Sequence, residues 1–332
     1  MKKKLAEQEE ALGVDHYETL CTANDVGRLL SEQGKVKEAE QYCRRTLEGF
    51  ERTMGPDHPD TLTAVGNMGS QLKVQGRPDL AEPFFRRALE GFERVHGPDH
   101  PDTLMAVNDM GCLLRVQGKL GLAEHFFRRA LEGCERVHGV DHPRTLKSVA
   151  DLGGLLQKLG KLSLAEPFIR RELEASERTL GRDHPDTLAS VNNMGTLLLS
   201  QGRLSEAEPL LRRNLEGRER TLGRDHPDTL LAVGNMGALL HQQGRFSDAE
   251  PFFRRELEAS ERTLGSDHPD TLPSVNNMGQ LLLEQGRLSD EAEPFLRRAL
   301  EVWERTLGSD HPDTRVASNS LRILLEKMEK EK

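Results

Sequence analysis

Apolar residues return along this chain in steps of three and four, in blocks that copy one another. In the block from His58 they fall at Leu62, Val65, Met68 and Leu72, the single stripe of an amphipathic helix. Pro59 suits a first helical position, where a missing N–H costs nothing, and Asp60 complements the positive end of the helix dipole. The spacing predicts a first helix over 59–75, closed by Gly76 in a left-handed conformation. A second stripe follows at Ala81, Phe84, Phe85, Ala88, Leu89 and Phe92 and predicts a second helix over 79–95. Its start reads Ser163-Leu164-Ala165-Glu166, Ser205-Glu206-Ala207-Glu208 and Ser247-Asp248-Ala249-Glu250 in other blocks. That spacing predicts a capping box, with the serine and the glutamate each satisfying one free N–H.

The blocks keep a fixed length. The Asp-His pairs ending at His16, His58, His100, His142, His184, His226 and His268 stand 42 residues apart, and Asp310-His311 comes 43 after its predecessor. The extra residue falls at Ser289-Asp290-Glu291-Ala292-Glu293, where Asp290 is expected to take over the cap and leave both helices in phase. A period of this size marks a stacked repeat array, in which each unit packs only on its neighbours. The chain divides into residues 1–15, the partial second helix of a truncated repeat; 16–310, seven tandem repeats; and 311–332, a capping helix. Glycine recurs within the first helices at Gly27, Gly69, Gly111, Gly153, Gly195, Gly237 and Gly279. A mid-helix glycine costs about 0.5–1 kcal/mol relative to alanine, so its recurrence predicts close helix approach. Arg322 replaces it at the end, which predicts a wet outer face there.

Composition narrows the function classes. The 332 residues are 36% hydrophobic and 30% charged, with a net charge of −9 and 4% aromatics. That balance argues against nucleic acid, which selects a basic footprint and stacking platforms. No apolar run approaches the length of a membrane span, and Lys2, Lys3 and Lys4 are followed by no apolar signal stretch. Cys21, Cys43, Cys112 and Cys134 form no paired motif, which suits a reducing, cytoplasmic setting.

Val65, Met68, Gly69, Leu72, Gly76, Ala81, Phe85 and Ala88 together resemble the tetratricopeptide repeat. The 42-residue length and the recurring His-Pro-Asp-Thr-Leu and Asn-Met-Gly segments are similar to the longer form found in kinesin light chains and nephrocystin-like proteins. The resemblance covers essentially the whole chain. It departs from the family where the closing proline is missing and where valine replaces the leading tryptophan. It implies an all-α fold, an α-solenoid wound as a right-handed superhelix, with the first helices lining a concave groove. It also implies a non-catalytic scaffold for protein or peptide partners. The implied peptide-binding residues are Asn67, Asn108, Asn192, Asn193, Asn235, Asn276 and Asn277, with Lys73 and Arg115 further along the same helices. An amide suits this task because it offers both a donor and an acceptor to a peptide backbone. The competing reading is that these amides only satisfy neighbouring helices.

Other motifs carry less chemistry. His-Pro-Asp, at His58, His100, His184, His226, His268 and His311, marks J-domain co-chaperones when it occurs singly. Here it recurs at the repeat period and degrades at His142-Pro143-Arg144, so a helix-start device explains it better; a co-chaperone role is the remote alternative. Successive histidines would lie about 16–20 Å apart across two helix widths, too far to share a metal, and no cofactor is predicted. The arginine pairs, such as Arg86-Arg87 and Arg254-Arg255, read as solvated partners of glutamates four residues away, each worth about 0.2–0.5 kcal/mol. No phosphate loop or nucleophile elbow is present, so no enzyme is expected. The alternative to a binding scaffold is a structural array that self-associates through its unpaired N-terminal helix.

Overall fold

The computed structural model describes residues 1–330. It forms two compact units, Met1–Glu172 and Leu173–Lys332. The first contains α1 (Lys2–Leu12), α2 (Tyr17–Glu32), α3 (Val36–Met54), α4 (Pro59–Val74), α5 (Pro78–His96), α6 (Pro101–Val116), α7 (Leu120–His138) and α8 (Pro143–Lys158). The boundary falls within α9 (Leu162–Leu180). The second contains α10 (Pro185–Ser200), α11 (Leu204–Leu222), α12 (Pro227–Gln242), α13 (Phe246–Leu264), α14 (Leu272–Glu284), α15 (Glu293–Leu307) and α16 (Pro312–Lys330). Each first helix packs on the second helix of its repeat, and first helices lie side by side, as α2 does with α4, α6 with α8 and α10 with α12. No strand occurs among the described residues. The all-α solenoid that the resemblance implies is the fold observed.

The first helices start as the proline and acid imply, with an addition. The histidine itself is the cap: Nδ1 of His58, His100, His184 and His226 accepts the backbone N–H two residues on, at 3.2 Å in each case. Gly76 has φ of 71°, and the Arg77 N–H closes the helix end on the Leu72 carbonyl at 3.0 Å, the Schellman arrangement that a left-handed residue permits.

The second helices correct the capping-box expectation. They begin one residue before the serine: Arg203 and Arg245 hold the cap positions, without a side-chain cap bond. Ser205 and Ser247 therefore sit inside the first turn. The glutamate of the supposed box points to the next repeat instead. Glu82 accepts from Gln117 Nε2 at 3.0 Å and from Lys119 Nζ at 3.1 Å, and these hydrogen bonds hold its carboxyl down at about 2. Asp290 does not cap either. The inserted residue is taken up as a π turn over Leu288–Ala292, with the Ala292 N–H bonding five residues back to the Arg287 carbonyl. Ala292 remains fully buried, as Ala81 and Ala249 are. A second irregularity is α14, which starts at Leu272 rather than Pro269. Pro273 has no N–H to donate to that first turn.

Close packing follows the small residues. A Cβ on Gly91 would meet Leu62 Cδ2 at 2.3 Å, and one on Gly69 would meet the Phe85 ring at 3.2 Å. The arginine pairs divide their labour, which corrects the reading of both as solvated. Arg254 bonds Glu250 at 2.5 Å on its own helix and is 53% exposed. Arg255, 21% exposed, reaches one repeat back to Glu219 at 2.5 Å and donates to the Arg224 carbonyl at 2.8 Å. Arg87 with Glu51 (2.6 Å) and Arg171 with Glu135 (2.5 Å) repeat the tie.

Candidate functional site

Two consecutive positions in the first helices, just before an apolar residue and the recurring glycine, supply bonds between neighbouring first helices. Asn67 Nδ2 donates to Asn24 Oδ1 at 2.9 Å, Asn108 Nδ2 to Asp151 Oδ2 at 2.9 Å, and Asn235 Nδ2 to Asn192 Oδ1 at 2.8 Å. The rule is positional: the first residue of the pair bonds the second residue of the next repeat. It operates at Asn24, Asn108 and Asn192, and the first residue is an asparagine in every second repeat, at Asn24, Asn108, Asn192 and Asn276. Gly66, Ala150 and Gly234 occupy the repeats between.

The nine residues expected to bind peptide therefore separate. Asn67, Asn108, Asn192 and Asn235 bond between neighbouring helices. Asn276 is buried, with its Oδ1 unpartnered. Asn193 is exposed and Asn277 half-buried; among the described residues neither side chain has a hydrogen-bond partner. Lys73 and Arg115 lie over aromatic rings of their own repeats, Lys73 Nζ at 5.6 Å from the Phe85 centroid and Arg115 at 6.0 Å from that of Phe127. A cation over a ring face is held by the ring quadrupole while its head stays near water.

Sequence reasoning missed two groups beside these positions. Asn192 Oδ1 also accepts from Asn214 Nδ2 at 3.0 Å, Asn214 Oδ1 accepts from Arg218 Nε at 2.9 Å, and Arg218 pairs with Asp228 at 2.7 Å. The chain Asn235–Asn192–Asn214–Arg218–Asp228 thus joins α10, α11 and α12 by polar contacts. Glu256 stands in the space above Gly234, and burial pushes its carboxyl up to about 7 against a lowering hydrogen bond from Ser274. The signal was present: Arg218 occupies the place of Phe50, Phe92 and Trp303, and Glu256 that of Ala88, Ala130 and Ala299. A charge in an otherwise apolar stripe marks a local rearrangement.

Between α6 and α8 lies a crevice of about 190 Å³, lined by residues that include Leu104, Met105, Asn108, Asp109, Arg144 and Lys147. Met105 is 46% exposed in it. Arg144 takes the place of the first-turn acid found in neighbouring repeats, so this helix start carries no carboxylate. Burial pushes the Asp109 carboxyl up, while Lys73 and Lys147 pull it down.

The tetratricopeptide repeat profile matches residues 19–60, 62–136, 108–178, 148–220, 188–261, 232–290 and 271–313. The chain belongs to the tetratricopeptide repeat family. No curated protein matches it. Among solved structures, the array is similar to a tetratricopeptide repeat protein from Parabacteroides merdae, at 15% identity and a TM-score of 0.60, covering 92% of this chain and 98% of that one. It is similar to BtubC (BKLC) from P. vanneervenii, at 20% identity and a TM-score of 0.57, over 71% and 92% of the two chains. It is also similar to the kinesin-light-chain-like, nearly identical repeats from Podosopora anserina, at 19% identity and a TM-score of 0.56, over 63% and 99%. At these identities the likeness shows the fold.

Tetratricopeptide arrays are generally protein-interaction scaffolds without catalytic chemistry. No helix among the described residues of this one is long and apolar enough to cross a membrane.

Proposed function

We propose that this tetratricopeptide array is a non-catalytic scaffold that holds an extended segment of a partner protein along the face of its first helices. The observation that carries the reading is the pair Asn193 and Asn277. Among the described residues their amides have no partner, in a face where the equivalent amides of Asn67 and Asn235 are bonded. Each offers a donor and an acceptor to one stretch of peptide backbone. Asn67, Asn108, Asn192 and Asn235 serve the same face by fixing the spacing of the first helices, and Asn276 supplies a buried acceptor beside Asn277. Lys73 and Arg115 contribute positive charge, and the crevice at Met105 accepts an apolar side chain whose acidic neighbour meets Arg144 and Lys147. A stiff, preformed face keeps the ordering cost on the peptide.

A peptide-array screen followed by titration calorimetry tests this. The expected result is binding by the wild type that weakens about tenfold or more, equivalent to 1.4 kcal/mol, in N193A/N277A. Unchanged affinity in that variant removes the amides from the reading. Absence of any peptide or protein ligand for the wild type removes the scaffold reading itself.

A further inference from the structure

The turn from α5 to α6 gathers three side chains of the kinds that bind metals. His96 lies in the last turn of α5, His100 is the cap of α6, and Asp102 stands in the first turn of α6. The two imidazoles stack with centroids 4.0 Å apart and planes at 21°. One donor atom from each of the three residues lies within 4.8 Å of the others, and all three residues are half-buried. Phe92 stacks on His96 at 6.0 Å, adding an apolar wall.

We propose that His96, His100 and Asp102 bind one divalent transition-metal ion of the zinc class. Two imidazoles and one carboxylate match the donor set of that class, whereas calcium and magnesium select sites built from oxygens. Three protein ligands leave a fourth position for water, as in open zinc sites. Metal–ligand bonds of about 2.0–2.2 Å require the donors to converge further than they do in the stacked arrangement. The ring torsions of histidine are broad, so a rotation of the imidazoles supplies that convergence. His100 Nδ1 accepts the Asp102 N–H at 3.2 Å; the ion therefore takes Nε2 of His100 or replaces this cap bond.

The other repeats act as internal controls. Where His96 stands, the chain elsewhere has Leu12, Met54, His138, Leu180, Leu222, Leu264 and Leu307. His138 does stack on His142, at 4.4 Å, but the counterpart of Asp102 there is Arg144, which repels a cation. A separation of about 16–20 Å divides only the capping histidines of successive repeats. His96 comes from the preceding helix, only four residues upstream of His100.

Titration calorimetry of the full chain with zinc, in excess magnesium, tests the site. H96L is the variant of choice because leucine already fills this position in several repeats, and circular dichroism melts verify its fold. The proposal expects one ion per chain for the wild type and for H138L, and binding weakened more than tenfold in H96L and in D102N. Binding by H96L equal to the wild type, or loss in H138L with H96L unaffected, overturns it. Absence of saturable zinc binding by the wild type does so too.

Discussion

The carboxyl of Glu256 fills the space that a side chain on Gly234 would need: a Cβ there would lie 2.6 Å from Oε1. Oε2 is buried without a partner, and burial raises the group from 4.5 to about 7. The folded protein therefore holds this proton more tightly than the unfolded chain does. The contribution of Glu256 to stability is fully present below pH 4.5, declines as the pH rises towards 7, and is lost above it. The size is on the order of 3 kcal/mol. E256A recreates the Gly66–Ala88 arrangement already present in the chain. Denaturant unfolding at pH 5 and pH 8 should show E256A gaining on the wild type between the two. An equal difference at both pH values would refute the assignment.

The two members of each arginine pair should separate by mutation. R255A breaks a tie to the previous repeat and a bond to a loop carbonyl, and should cost about 1–1.5 kcal/mol. R254A removes an exposed pair within one helix and should cost at most about 0.5 kcal/mol. Urea midpoints for the two variants check this, and a larger loss for R254A would reverse the division of roles.

Histidine at the helix start acts through Nδ1 as an acceptor, so the asparagine substitution tests it. H226A should lose about 1 kcal/mol, while H226N, whose side-chain oxygen can accept the same N–H, should stay within a few tenths of wild type. Thermal melts of the pair decide it. Equal losses would place the role of the ring in packing.

Adding one methyl group at Gly91 should be costly. The Cβ would meet Leu62 at 2.3 Å, and overpacking of this kind costs about 1–3 kcal/mol. At the equivalent place the chain has Ala259, and Leu230, the counterpart of Leu62, is 7% exposed where Leu62 is fully buried. G91A should push Leu62 outward in the same way, visible as a lowered unfolding midpoint and, in a crystal structure, as a shifted leucine.

The repeat length, the two helices per repeat and the glycine stops were legible because each rests on a local rule: periodicity, a proline, a left-handed turn. The caps were legible only in part. Serine three before glutamate is a sound local signal, yet Glu82 and Glu208 serve the following repeat, through Gln117 and Gln243. The candidate face shows the same limit. The amide positions can be read from the chain, but whether Asn67 is bonded and Asn277 is not depends on the residue 43 positions earlier, Asn24 in one case and Gly234 in the other. Contacts across repeats need register, which composition and spacing within one repeat do not carry.

The alternation of asparagine with glycine or alanine gives the array a parity. Excision of two consecutive repeats would rejoin an asparagine-bearing helix to one of the opposite kind, and the lateral bonds would continue in step. Excision of the single repeat that bears Asn108 would set Gly66 beside Ala150 and leave Asp151 with nothing across from it. The unit that can be copied or lost without scarring this face is thus the pair of repeats, twice the length that the histidines announce.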